Sequence, residues 1–142
     1  MRGIKNIDGE GFMDLIYKFR GSVNSDLSKV KPFLDSMMYD LNNFIFNQDT
    51  LFDIKLILDE LIINSVLHGN NKDCLKNVYL SVNLLKDSIV IKVKDEGCGI
   101  TYNFNDYDFK NLKCSGRGLL LVKALTDSLV LNNNEVIVKK KL

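Results

Sequence analysis

Between Gly69 and Val78 the hydrophobic period of the chain changes from helical to strand-like, and that change sets the class of fold. Before it, Leu34, Met37, Met38, Leu41, Phe44 and Ile45 recur at helical spacing, and a second helical run stops at Gly69. After it, Val78, Leu80, Val82 and Leu84 alternate with Tyr79, Ser81 and Asn83. Lys86-Asp87 reads as a turn, and Ile89, Ile91 and Val93 alternate with Val90, Lys92 and Lys94, so this half opens with a β-hairpin.

The flanking segments complete the outline. Residues 14–20, with Leu15, Ile16, Tyr17 and Phe19, read as a first strand. Asn24, Ser25 and Asp26 offer helix caps, and Pro32 is tolerated only near a helix start. Residues 101–115 are polar, aromatic and irregular, which predicts a loop. Gly118 to Thr126 is apolar at helical spacing, and strands around 129–131 and 136–140 close the chain through Asn132, Asn133 and Asn134. Strands joined by hairpins, with helices grouped apart, predict an α+β two-layer sandwich: a mixed, mostly antiparallel sheet with helices on one face. Residues 1–13, with Gly3, Gly9 and Gly11, read as a mobile lead-in, and residues 14–142 as a single domain.

Composition removes several functions. With 142 residues the chain can bury a core of its own. A net charge of +1 gives no electrostatic case for direct nucleic-acid or anionic-membrane binding. No apolar run reaches the length of a membrane span, and no signal-peptide core is visible, so the cytoplasm is the expected compartment. Three cysteines, none in a Cys-x-x-Cys pair, and a single histidine argue against zinc and for reduced thiols.

The second helical run carries an unusual polar line. Glu60, Asn64 and His68 recur every fourth residue among Ile54, Leu58, Leu61 and Ile62 on one side and Phe52, Leu56, Ile63 and Leu67 on the other. That pattern predicts a helix buried on both sides, where a carboxylate and an amide need partners. A metal ion with a polyphosphate would supply them, although a solvated stripe or a network closed by neighbouring backbone has the same spacing. Two glycine-bearing segments follow. Asp95-Glu96-Gly97-Cys98-Gly99-Ile100 continues directly from a strand, where an aspartate can accept from an exocyclic amine and glycines admit a flat ligand, or simply make a turn. Ser115-Gly116-Arg117-Gly118-Leu119 opens a helix, whose free N–H groups favour phosphate. Neither segment has the spacing of a P-loop or a dinucleotide fingerprint.

Taken in order, Glu60-x-x-x-Asn64-x-x-x-His68-Gly69-Asn70, Asp95-Glu96-Gly97-Cys98-Gly99-Ile100 and Ser115-Gly116-Arg117-Gly118-Leu119 resemble the N box and the two glycine boxes of the GHKL ATPase superfamily, which shares the Bergerat ATP-binding fold. With Leu125-Thr126-Asp127 and the short segment between the glycine boxes, the resemblance is nearest to the bacterial anti-sigma-factor serine/threonine kinases, and it covers residues 14–142.

The resemblance implies ATP and Mg²⁺ as cofactors. It makes Asn64 the Mg²⁺ ligand, Glu60 the general base and Asp95 the partner of the adenine amino group. Gly97, Gly99 and Ile100 would lie along the base. Ser115, Gly116, Gly118 and Leu119 would wrap the phosphates, with Lys113 or Arg117 on the γ-phosphate. His68 falls in the nucleotide site as a contact or packing residue. An anti-anti-sigma-type protein would be the substrate and a sigma factor a second partner, and homodimers are frequent in this branch. One departure stands out: Asn134-Glu135 occupies the place near the last strand where the family usually has a Gly-Thr pair that helps hold adenine. That departure leaves a non-catalytic ATP-dependent adaptor as the alternative to a kinase. The ATP-binding half of a histidine kinase is disfavoured, because His68 is the one histidine and no dimerisation helix pair can be read ahead of the first strand.

Overall fold

A computed structural model describes residues 15–97 and 114–142. β1 (Leu15–Asn24) leads into α1 (Leu27–Leu41) and α2 (Gln48–Asn64), then β2 (Asn77–Leu85), β3 (Ser88–Lys94), α3 (Cys114–Leu125), β4 (Ser128–Asn132) and β5 (Glu135–Lys141). The five strands form one sheet in the order β1-β2-β3-β5-β4. Every pairing among the described residues is antiparallel, a purer sheet than the mixed one expected. The lead-in 1–13 and most of the predicted loop 101–115 lie outside the described residues.

Local chemistry sets each boundary. Of the three caps offered, Asp26 is the one used: its extended backbone starts α1 and its carboxylate accepts from Ser28 N–H at 3.0 Å. Val30, Leu34, Met37 and Leu41 then form one buried stripe, with Pro32 accommodated inside the helix. Asn47 caps α2 by accepting from the N–H groups of Asp49 and Thr50 at 2.9 and 3.2 Å. β1 runs to Asn24, beyond the expected end at residue 20, because its pairing with β2 continues through Val23↔Val78 and Asn24↔Asn77. α3 starts at Cys114, so Ser115, Gly116 and Arg117 belong to its first turn.

Among the described residues the three α-helices pack on one side of the sheet: α1 on β1 and α2, α2 on β3 and α3, α3 on β4. Between the layers lie Val78, Leu80, Val82, Leu84, Ile89, Ile91, Val93, Val136 and Val138 from the sheet, facing Leu34, Met37, Ile54, Ile57, Leu58, Leu61 and Ile62. The period-2 set of the sequence is therefore the inward set. α2 is more one-sided than its sequence predicts. Ile54, Leu58, Leu61 and Ile62 are buried, whereas Phe52 is 62% exposed and Leu56, Ile63 and Leu67 are only half-buried. Lys140 on β5 donates to the Leu125 carbonyl at the end of α3, 2.9 Å away, and stands 3.8 Å from Asp53 on α2, so it ties both helices to the sheet.

Candidate functional site

The last turns of α2 place Glu60 and Asn64 at the margin of its buried face. Asn64 is 6% exposed and is not without a partner in the protein. Glu60 is half-buried; loss of water, and then the negative Asp59 beside it, push its carboxyl above the usual carboxylate range. The helix does not continue as an α-helix to His68. Ser65–Gly69 form a π-turn, closed by Asn70 N–H donating to the Ser65 carbonyl at 2.8 Å. Such turns insert a residue into the helical register and recur at functional sites. Within it His68 is exposed, unlike the buried Asn64 one turn before it, while Gly69 is turned toward the end of β3.

Asp95 lies one residue past β3 and is 1% exposed. Its Oδ1 accepts from Gly97 N–H at 2.8 Å, and its Oδ2 is buried without a hydrogen-bond partner among the described residues. Burial raises its pKa; the Gly97 N–H, the positive Lys76 and the Ser65 hydroxyl pull the other way without reversing the shift. A buried acceptor left open in this way is costly to the folded protein. It is chemically matched to a donor on a ligand, and the exocyclic amine of adenine is such a donor.

Glycines let the three segments approach one another closely. A Cβ at Gly69 would run into the Asp95 carboxylate, and one at Gly97 into the Gly69 carbonyl. A Cβ at Gly118 would strike the Glu60 carboxylate and come to 3.6 Å from Asn64 Nδ2, so α3 meets α2 directly at the polar line. Gly69→Ala is therefore expected to destabilise the protein by about 1–3 kcal/mol, the usual cost of overpacking. Urea unfolding would show this as a lower midpoint with an unchanged slope; a midpoint equal to wild type would mean that the Asp95 carboxylate swings aside freely.

The structure thus packs Gly118 against Glu60 and Asn64, and Gly69 and Gly97 around Asp95, with Ser65, the residue after Asn64, acting on the Asp95 carboxylate. Ser115, Gly116 and Arg117 fall in the first turn of α3, and the Leu119 side chain is core, 1% exposed. Gly99, Ile100 and Lys113 lie outside the described residues. Three residues enter that the sequence reading gave no role. Ser65 acts on the Asp95 carboxylate. Asn70, 0% exposed, donates to Ser25 Oγ at 2.9 Å and to the Asn77 carbonyl at 3.0 Å, and accepts from Glu96 N–H at 2.8 Å. Asn134 donates its side-chain amide to the Asp95 carbonyl. For Ser65 and Asn70 the available signal is a small polar residue inside or ending an apolar helix; for Asn134 it is only the departure from the usual Gly-Thr pair.

A family profile described as the histidine kinase-like ATPase domain matches residues 23–140. Among curated proteins, the anti-sigma F factor of Clostridium perfringens (strain SM101 / Type A) is 31% identical over 105 residues, covering 66% of this chain and 74% of the relative. The anti-sigma F factor of Geobacillus sp. (strain WCH70) is 33% identical over 92 residues, covering 60% and 62%. That of Bacillus subtilis (strain 168) is 38% identical over 53 residues, covering 37% of this chain and 36% of the relative, so the match there spans about a third of each. An ATPase domain implies nucleotide binding. The site, the antiparallel sheet with its helices on one face and these matches together place the chain in the histidine kinase-like ATPase domain family of the GHKL superfamily, near its anti-sigma factors.

Proposed function

We propose that residues 14–142 form a single ATP-binding domain that acts as an anti-sigma-factor-type serine/threonine protein kinase in the cytoplasm. Its substrate would be a small anti-anti-sigma-type protein and its regulated partner a sigma factor. The observation that carries the reading is Asp95 Oδ2, buried beside Gly69 with no hydrogen-bond partner among the described residues, on a carboxylate that Ser65, the residue after Asn64, also acts on. The chain carries no described helix long and apolar enough to cross a membrane, in keeping with a partner met in solution.

The site separates its tasks. Asp95 holds the base by accepting from its amino group. Glu60, kept more basic than an ordinary carboxylate by its surroundings, takes the proton from a serine or threonine hydroxyl. The hydroxyl oxygen bonds to the γ-phosphorus as the bond from that phosphorus to the β–γ bridging oxygen breaks, leaving ADP and a phosphorylated protein. A bound Mg²⁺ would neutralise charge on the phosphate oxygens, and the Asn64 amide oxygen is the hard ligand offered to it. Among the described residues no group of three or more His, Cys, Asp or Glu could hold a metal. Such an ion would therefore be held largely by phosphate and water oxygens.

Calorimetric titration of ATP with and without Mg²⁺ tests the site, and transfer of labelled γ-phosphate to serine or threonine of a protein tests the activity. Asn64→Ala is expected to lose the gain in ATP affinity that Mg²⁺ gives wild type while keeping metal-free binding. An unchanged dependence on Mg²⁺ would remove Asn64 from the metal shell.

A further inference from the structure

Asp95 stands just beyond the last rung of the β3–β5 ladder, Lys94↔Glu135. Strand ends fray, and an acceptor that must meet a ligand at a fixed place needs its backbone held. Four hydrogen bonds hold it. Asp95 N–H donates to the Asn134 carbonyl at 3.0 Å, and the Asn134 side-chain amide donates back to the Asp95 carbonyl. Glu96 N–H donates to Asn70 Oδ1 at 2.8 Å, and Gly97 N–H to Asp95 Oδ1 at 2.8 Å. Asn134 therefore grips both backbone groups of Asp95, while Asn70, anchored on Ser25 and Asn77, fixes the next residue. What this leaves open is Asp95 Oδ2.

The grip needs an asparagine. Asn133 and Asn134 make the two-residue turn between β4 and β5, closed by the Asn132↔Glu135 pair, with Asn133 at φ 56°, a conformation asparagine tolerates. At the next position an aspartate has the same shape but no donor for a carbonyl, and a glycine has no side chain at all.

We propose that Asn134 is a positioning residue for base specificity: by holding the backbone of Asp95 from both sides it aims the open carboxylate oxygen at the adenine amino group, in the place where the family usually has its Gly-Thr pair. This rests on the reading of Asp95 as the adenine acceptor.

The test compares Mg²⁺-ATP with Mg²⁺-ITP, whose base carries a carbonyl in place of the amino group, by calorimetry on the full chain. Wild type is expected to prefer ATP by on the order of a hundredfold, since a site built for a donor rejects the analogue lacking it. Asn134→Asp and Asn134→Gly are each expected to lose about tenfold in ATP affinity, the worth of a misaimed hydrogen bond, with little change for ITP, so the preference falls by about tenfold. A role confined to stability would lower the melting temperature and leave the ratio of the folded protein unmoved. Glycine is at home in the turn, so the Asn134→Gly protein decides the matter if Asn134→Asp fails to fold. Retention of the wild-type ratio in Asn134→Gly overturns the inference alone. Wild type that binds neither nucleotide, or both alike, overturns the adenine assignment and this inference with it.

Discussion

Asp95→Asn is expected to weaken ATP binding by on the order of a hundredfold while leaving the protein at least as stable as wild type at neutral pH. The binding loss follows from replacing the open Oδ2 acceptor by an amide that either presents its own N–H₂ to the adenine amine or gives up the acceptance of Gly97 N–H. The stability result follows from linkage. The Asp95 carboxyl has a raised pKa in the folded protein, so between about pH 4 and that raised value the folded state holds a proton that the unfolded state has released. Over that window stability falls as pH rises, and above it the full cost of the buried charge persists. Asparagine carries no such cost. The gain of the variant over wild type should therefore be present at pH 7.5, shrink as pH is lowered through the raised pKa, and vanish below about pH 4. Thermal unfolding at the two ends of that range, alongside calorimetry with Mg²⁺-ATP, measures both effects. A variant that binds ATP as wild type does would remove Asp95 from the base site; one destabilised equally at both pH values would show that the carboxylate is a structural group rather than an acceptor kept open for a ligand.

The architecture was legible in the sequence because burial in a two-layer sandwich is written as periodicity. The inward residues of β2 and β3 are the alternating set Val78, Leu80, Val82, Leu84 and Ile89, Ile91, Val93. The α1 stripe of Leu34, Met37 and Leu41 could be read in the same way. What a fixed period could not show was the π-turn. Its extra residue takes His68 off the line and swings Gly69 against Asp95, and that shift depends on where the Asn70 N–H finds an acceptor. The two-sided burial expected of α2 is also incomplete, since among the described residues Phe52 is 62% exposed and Leu56 only half-buried, whereas Leu58 and Ile62 are covered by the sheet.

The motifs named the residues of the proposed site but not the ones that support them. Glu60, Asn64, Asp95, Gly97 and Gly118 sit in motifs whose spacing is local, and in the structure Gly118 packs on Glu60 and Asn64 while Gly97 packs beside Asp95. Asn134 belongs to no motif. In the sequence it is only a departure from a familiar pair, and its meaning lies in a hydrogen bond to a residue 39 positions away. Ser65 and Asn70 are likewise defined by what the π-turn and the start of β2 bring beside them. Residues that hold a functional group in place are chosen by tertiary contact, so they are the last that a one-dimensional pattern can reveal.

Glu60→Gln is expected to lower phosphoryl transfer by about 10²–10⁴-fold, the usual contribution of a positioned general base, and to keep ATP affinity. Glutamine preserves the volume that packs beneath Gly118, so the contact between α2 and α3 survives and the loss can be assigned to the missing base. The raised pKa of Glu60 adds a second readout. Transfer by wild type should rise with pH as this carboxyl ionises, with its midpoint above the ordinary carboxylate value, and the residual activity of Glu60→Gln should lack that limb. Single-turnover transfer of labelled γ-phosphate across pH 4–8 measures it, the range being about that over which a perturbed carboxylate titrates. Equal transfer by wild type and variant would mean that Glu60 is not the base. Tight ATP binding with no transfer in either protein would point to a domain that uses nucleotide only to choose its partner, because Glu60 would then sit at a γ-phosphate that no hydroxyl reaches.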